Sequence, residues 1–194
     1  MEDLKRVVNF FDKLNNDSKI LLVNLLSKKE YNKGDFIIKK GDTPQNFYVL
    51  IKGVLRSYIT DDNGKEHTRT LFTPVTTTGC MSGLILKEPS ELSYECLSYC
   101  ELYEGNYYDF IELTKERIDF ANQYNHILEQ IFLKMKSKIY DLSVLNATER
   151  YLKLRDEIPE IENLVAQYHI ASYLNISPVQ LSRIRKDIIE KRLY

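Results

Sequence analysis

Apolar residues between about Asp3 and Ser27 recur at helical spacing, with Val7, Phe10, Phe11 and Leu14 followed by Ile20, Leu21 and Leu25. The polar run Asn15-Asn16-Asp17-Ser18 between them can end one helix and cap the next, so two short helices are expected. From about Lys29 to Glu104 the pattern changes to short β-rich runs punctuated by Gly and Pro. Residues 36–38, 47–51, 54–59 and 68–72 read as strands, and Asn63-Gly64 is a strong hairpin turn, which together predict a sandwich or barrel. From about Lys115 to Leu142 the period is helical again: Phe120, Tyr124, Ile127, Ile131, Met135, Ile139 and Leu142 recur every three or four residues, with Leu128 and Phe132 broadening the stripe. At the helical rise this element is roughly 40 Å long.

A further helix begins at Ala147 and ends at Ile158-Pro159-Glu160-Ile161, with Leu152 and its neighbours expected to roof the core of the last two helices. The stretch from Val165 to Arg192 reads as a helix, a turn at Asn175-Ile176-Ser177 and a second helix. Ser177 followed by Pro178 is a helix start, since the serine oxygen can cap free N–H groups and proline suits the first helical position. Leu181, Ile184 and Ile188 form one apolar stripe, matched by Ile170, Ala171 and Leu174 on the first helix, where small Ala171 lets the two helices cross closely. Cap, turn length, stripe and polar face all agree with a helix-turn-helix, in which the second helix enters the major groove of double-stranded DNA. The fold class expected is α+β: a β sandwich or barrel flanked by helices, a long helix, and an all-α end.

Composition narrows the class of function. The 43% apolar and 28% charged content is that of a soluble globular protein. The start, Met1 to Lys5, lacks the basic and apolar regions of a secretory signal, and no run approaches the roughly 20 apolar residues of a spanning helix, so a cytoplasmic protein without membrane contact is expected. Net charge is −1, yet residues 177–194 hold five basic residues against two acidic ones, a surplus of +3 where phosphates would be met. Cys80, Cys96 and Cys100 show neither a CxxC pair nor a neighbouring histidine cluster. They read as buried thiols rather than disulfide or zinc ligands, and no metal is expected. No nucleophile elbow, phosphate loop or His-Glu-x-x-His run is present, so enzymatic activity is not expected.

The run Lys33-Gly34-Asp35-Phe36-Ile37-Ile38, then Gly41-Asp42, then Phe47 to Arg56, then Asp62 to Glu66, resembles the opening of the cyclic-nucleotide-binding jelly roll. That roll is the sensor of the CRP/FNR superfamily of bacterial transcription regulators. The resemblance implies a sensor at 1–114, a dimerisation helix at 115–142 whose seam would use Phe120, Tyr124, Ile127, Ile131, Met135 and Ile139, and a DNA-binding domain at 143–194. It implies a homodimer and a palindromic operator, with RNA polymerase as a further candidate partner. Matched to the superfamily's recognition helix, the base-touching positions fall on Pro178, Val179 and Arg183. Gln180 is placed for adenine and Arg183 for guanine, while Ser172, Ser177, Ser182 and Lys186 are better placed for phosphates.

Two departures stand out. Nucleotide-binding relatives hold the ribose with a Gly-Glu pair and the phosphate with an arginine, since a buried anion needs a bidentate cation. Counting back from Tyr107-Tyr108-Asp109-Phe110, the arginine position falls at Ser90-Glu91, and the Gly-Glu equivalent lies in Gly79-Cys80-Met81-Ser82-Gly83 without an acid. Glu91 would repel a phosphate, so micromolar binding of cyclic AMP is not expected and no cofactor is implied, unless Arg56 or Arg69 takes the role. The superfamily's wing is also expected to be absent or minimal, since the sequence reaches Leu193-Tyr194 directly after the second helix. With the Ser-Pro-x-x-Leu-Ser-Arg-Ile-Arg signature this resembles a wingless branch common in Bacteroidetes. A reading of another class remains beside it: a ligand sensor or scaffold acting through protein contacts, with the helix-turn-helix as a docking surface.

Overall fold

The computed structural model describes residues 2–192, so Leu193 and Tyr194, with the question of the wing, lie outside the described residues. Two helices come first, α1 (Glu2–Phe10) and α2 (Asn16–Leu25), and the Asn15 side chain caps α2 by accepting from the Ser18 N–H at 3.0 Å. Eight strands come next: β1 (Leu26–Tyr31), β2 (Phe36–Ile38), β3 (Asn46–Lys52), β4 (Leu55–Thr60), β5 (Glu66–Phe72), β6 (Thr76–Thr78), β7 (Ser93–Cys96) and β8 (Cys100–Asn106), with the short helix α3 (Met81–Leu86) between β6 and β7. They form two antiparallel four-stranded sheets in the orders β1-β8-β3-β6 and β2-β7-β4-β5. Apart from the β4–β5 hairpin, consecutive strands lie in different sheets, which is the winding of a jelly roll. Between the sheets lies a core of Ile38, Tyr48, Leu50, Leu55, Tyr94 and Leu102, with all three cysteines close-packed among or beside them.

Each sheet needs cover on its outer face, and different helices supply it. Val49 and Ile51 of β3 turn outward against Val7, Phe11 and Leu22 of the N-terminal region, with Phe110 of α4 (Tyr107–Glu116) and Phe120 of α5 (Ile118–Val144). The expected single helix from Lys115 is two helices joined at Arg117, whose backbone is extended (φ −134°, ψ 119°). Ser18 and Asp119 hold that joint: Arg117 Nε donates to Ser18 Oγ at 2.7 Å, and the Asp119 carboxylate accepts from the Asn15 N–H at 3.1 Å.

On the other sheet, Val54 and Leu97 join the buried cluster of the C-terminal helices α6 (Ala147–Glu157), α7 (Ile161–Leu164), α8 (Gln167–Tyr173) and α9 (Pro178–Arg192). Tyr151 and Leu154 point into that cluster, whereas Leu152 is 38% exposed, so the roof is formed by its neighbours. Helix α8 lies against β5. The Thr68 N–H donates to Ser172 Oγ at 2.9 Å, and the Ser172 hydroxyl donates to the Glu66 carbonyl at 3.2 Å. Beside it His169 is buried near Arg56, Glu66 and Lys33, with its ring 4.0 Å from that of Tyr168.

Two consequences are measurable. Gly53 has φ +92°, and a Cβ there would press on the Tyr99 carbonyl and stand 2.7 Å from Cys100 Sγ. Gly53→Ala combines a left-handed backbone with a clash against a main-chain atom, so urea denaturation is expected to show a loss of about 1–3 kcal/mol or more. Burial, and then the charge of Arg56, hold the His169 imidazole down to about 4 against an ordinary 6.5. Between those values the unfolded chain binds a proton that the folded chain does not, so stability rises with pH through this window and is lost as pH falls. Between pH 6.5 and about 4.5, His169→Gln is expected to remove on the order of 2 kcal/mol of the pH dependence seen in urea denaturation of the parent; an unchanged slope would contradict this placement of His169.

Candidate nucleic-acid interface and ligand pocket

The turn joining α8 to α9 is set by three residues. Asn175 takes the left-handed conformation (φ 56°), the Ile176 N–H donates to the Ala171 carbonyl at 3.0 Å, and the Asn175 N–H donates to the Ser172 carbonyl at 3.1 Å. This pair of bonds is a Schellman ending with asparagine in the place where glycine is commonest. Ser177 then starts α9 by accepting from the Gln180 N–H at 3.1 Å. Ala171 is fully buried where the helices cross, and Leu181 and Ile184 face it from α9, as the spacing predicts.

With its apolar stripe so committed, α9 turns the other side outward. Ser177, Pro178, Val179, Gln180, Ser182, Arg183 and Lys186 are all exposed along that side. Val179 leaves 63% of its surface open. Among the described residues no carboxylate pairs with Arg183, whereas Arg185 is tied to Glu162 (2.9 Å) and Lys186 to Glu190 (3.7 Å). Ser172 stands apart from this row, because its hydroxyl is engaged with Glu66 and Thr68 of β5.

A set of contacts that sequence reasoning missed holds α8 from behind. Lys138 of α5 donates to the Tyr173 carbonyl at 2.8 Å and sits 3.4 Å from the centre of its ring. Burial lowers the Lys138 ammonium to about 8. Arg150 of α6 donates to the carbonyls of Leu174 (3.2 Å) and Leu145 (2.6 Å), and Lys153 pairs with Asp141 at 2.6 Å. The cations at 138 and 150 thereby satisfy carbonyls at the C-terminal end of α8, where a helix carries partial negative charge. Only the helical spacing of Lys138 relative to Asp141 hinted at a shared face.

The seam expected along α5 requires correction. Phe120 is fully buried in its own subunit's core, Ile127 packs against that core, and Tyr124 does so with its hydroxyl 2.8 Å from that of Tyr107. Phe120 is therefore not available to a second copy, and Tyr124 and Ile127 are partly covered by their own chain. Ile131 is half-buried. Met135 (59% exposed) and Ile139 (64%) are open, and they share a face with Phe132 (66%) and Leu142 (43%). The spacing 132, 135, 139, 142 is the three-four repeat of a coiled-coil seam. The stripe is therefore buried in the first half of the helix and exposed in the second.

The residues expected to line the ligand pocket do come together, but they bond to one another. Gly79 and Cys80 precede α3, which carries Met81 and Ser82, and Ser90 lies beyond it. Ser90 is buried with its hydroxyl 2.7 Å from the Leu92 carbonyl and 3.2 Å from Cys80 Sγ. The Tyr94 hydroxyl donates to the Gly79 carbonyl at 3.0 Å, and the Tyr48 hydroxyl donates to the Ile37 carbonyl at 3.3 Å. Burial raises both phenols well above their ordinary range.

Glu91 is exposed, so it does not stand in the pocket and cannot repel a phosphate there. Neither arginine that could take the cationic role turns inward. Arg69 is exposed, and Arg56, though only 3% exposed, is taken: its Nε donates to Glu95 at 2.8 Å and its Nη2 lies 2.5 Å from Glu66. The alternation of β4, with Leu55 in the core between the sheets, turns Arg56 to the opposite side, where His169 covers it. His67, in the same hairpin, bonds Asp61 at 2.8 Å, and among the described residues no group of three metal-ligating side chains is found.

Comparison with known proteins agrees with this architecture. Residues 28–117 match the model of the cyclic nucleotide-binding domain. A curated relative, a cAMP-dependent protein kinase regulatory subunit of Eremothecium gossypii, is 41% identical over 51 residues, which are 26% of this chain and 11% of that protein's length. Among solved structures, FixK2 from Bradyrhizobium japonicum is similar with a TM-score of 0.75 and 14% identity, over 86% of this chain and 85% of that one. The c-di-GMP responsive global regulator CLP of Xanthomonas campestris gives 0.73 and 16%, over 92% and 94%. The catabolite activator protein of Thermus thermophilus gives 0.58 and 21%, over 94% and 87%. Residues 28–117 thus match the cyclic nucleotide-binding domain, set within a chain that has the fold of the CRP/FNR-type regulators.

Proposed function

We propose that the protein is a homodimeric, DNA-binding transcription regulator of CRP/FNR type, with residues 1–114 as sensor, 115–142 as dimerisation segment and 143–194 as DNA-binding domain. The observation that carries this reading is the exposed row on α9 from Ser177 to Lys186, set on a helix whose opposite stripe is buried and whose start is capped. Arg183 would read guanine N7 and O6, Gln180 adenine, and Val179 the methyl group of thymine. Ser177, Ser182 and Lys186 would hold phosphates. The protein is read as a cytoplasmic regulator without catalytic activity of its own. Among the described residues no helix is long and apolar enough to cross a membrane.

Dimerisation through the second half of α5 would bury Phe132, Met135, Ile139 and Leu142 against a second copy and set two recognition helices about one helical turn of DNA apart, roughly 34 Å. The sensor pocket, closed by its own side chains and without an inward arginine, is read as not holding cyclic AMP in the usual way. The similar protein from X. campestris is described as c-di-GMP responsive, so an effector other than cyclic AMP fits this fold. The second reading, a scaffold that uses α9 as a protein docking surface, rests on the apolar exposure of Val179. Salt separates the two, because a complex held by several phosphate contacts weakens steeply as salt rises.

Two measurements test the proposal. In gel shifts on palindromes selected from a random DNA pool, Arg183→Ala is expected to lose about 1–3 kcal/mol of binding and to relax selection at one base per half-site; binding as tight as the parent's would rule out direct readout by Arg183. In sedimentation, Ile139→Asp is expected to shift the protein from dimer to monomer, since a charge on the seam must be desolvated, whereas a dimer that persists in this variant would move the interface elsewhere.

A further inference from the structure

The exposed part of the α5 seam is too small to hold two copies together unaided. About half of each side chain at Phe132, Met135, Ile139 and Leu142 is open. At roughly 200 Å² for a large side chain, the four offer on the order of 400–500 Å² per copy. A stable interface buries about 600–1,000 Å² on each partner. Apolar surface continuous with the seam must supply the remainder. Leu133, Tyr140 and Val144 are exposed too, but they are turned roughly 100° or more around the helix from the seam. Toward the start of α5 the line from Phe132 runs on through Leu128 and Tyr124, both half-buried, at helical spacing.

Beside that end of the line stands α3. The Tyr124 hydroxyl meets that of Tyr107 at 2.8 Å, and the rings of Tyr107 and Tyr108 are 5.5 Å apart, edge to face. The Tyr108 hydroxyl then donates to the Leu84 carbonyl of α3 at 3.3 Å, and the Lys87 ammonium lies 5.4 Å from the centre of the Tyr108 ring. One side of α3 is committed to its own chain. Leu84 is buried, and a Cβ on Gly83 would stand 2.7 Å from Pro44. The helix ends in Ile85 and Leu86, two adjacent branched side chains that are each more than half open. Isolated exposed apolar residues are ordinary, whereas a pair continuous with an exposed seam widens one patch.

We propose that α3 is a second part of the dimer interface, with Ile85 and Leu86 seated against the α5 of a second copy. This rests on the dimeric reading above and deepens it. The pair adds roughly 200 Å² per copy, which brings the buried area into the range of a stable interface. Met81 and Ser82 belong to the same short helix and Cys80 precedes it, so the second copy covers the outer wall of the candidate pocket. Assembly and the shape of the pocket are then joined through one helix.

Sedimentation of the full chain over a concentration series tests this, with urea denaturation as the check on folding. Leu86→Asp is expected to raise the dimer dissociation constant by about tenfold or more. Leu133→Asp, exposed but off the seam, is expected to leave it within about twofold. A photoreactive benzophenone side chain at position 86 reads the same contact without a charge, and decides alone if Leu86→Asp fails to fold. It should give a covalent dimer whose cross-link maps to α5 of the other copy. Ile139→Asp separates the proposal from the reading beneath it. If that variant dissociates the dimer while Leu86→Asp leaves it intact, the α3 contact is overturned and the dimer stands. The contact is also overturned if the cross-link stays within one chain, or if Leu133→Asp weakens the dimer as much as Leu86→Asp. A parent that sediments as a monomer, or a dimer indifferent to both Leu86→Asp and Ile139→Asp, overturns the contact and the seam together. Dissociation by Leu86→Asp but not by Ile139→Asp supports the α3 contact and moves the rest of the interface.

Discussion

The burial of Arg56 is the constraint on which the arrangement of the two halves depends. A guanidinium cannot be deprotonated, so taking it out of water is costly unless its donors are met. Glu95 from the neighbouring strand and Glu66 from the hairpin meet them, and the Tyr58 ring lies 3.9 Å beneath. Those partners place a charged platform on the outside of the β2-β7-β4-β5 sheet, and α8 lies beside it with His169 buried near Arg56 and Glu66. The apolar ring of Val54 and Leu97 around the platform completes the contact. A C-terminal unit that left this sheet would uncover an apolar patch, although the hydrogen-bonded ion pair could be solvated without much loss. Docking is therefore held by the patch and given its register by the polar bonds of Ser172.

The parts of this structure that could be read from sequence are those whose signals are local. Ser177-Pro178, Asn175 and the stripe Leu181-Ile184 all act within one or two turns, so the α8–α9 pair was legible almost to the residue. The strands with alternating apolar residues, β3 and β4, were equally plain. The edge strand β1 was not, because Leu26-Ser27-Lys28-Lys29-Glu30-Tyr31 is charged and largely exposed, a common way to protect an edge that no periodicity betrays. The α5 stripe was found but misassigned in its first half. Periodicity says that a face is covered and not by what; the sheet of the same chain claims Phe120, Tyr124 and Ile127, and only burial in three dimensions separates them from Met135 and Ile139.

The pocket teaches the same distinction for chemistry. Counting along the chain located the positions where relatives keep an acid and an arginine, and those positions do meet, at Cys80 and Ser90. Charge repulsion by Glu91 is not what closes the pocket to an anion, because Glu91 points to solvent. The hydroxyls of Tyr94 and Ser90 are spent on the carbonyls of Gly79 and Leu92, and Arg56 is paired with Glu95 and Glu66 on the other side of the sheet. A side chain's direction in a strand depends on register, and one residue's slip reverses it.

Seen together, the contacts of α8 give this seven-residue helix a place that its length does not suggest. Its Ser172 is bonded to β5, its Tyr173 carbonyl to Lys138 of α5, and its last turn leads directly through Asn175 into α9. The sheet that carries β5 and the helix that carries the exposed seam therefore touch the proposed recognition helix through one short rigid element. A shift of β5 relative to α5 cannot leave both bonds intact: either the Thr68–Ser172 bond or the Lys138–Tyr173 bond must lengthen, each at a cost of about 0.5–1.5 kcal/mol, with the larger share falling on the charged donor. The two contacts thus tie one short helix to both β5 and α5. On the reading of the chain as a regulator, a displacement on either side would bear on these two bonds before it deformed the packed core of α6 to α9.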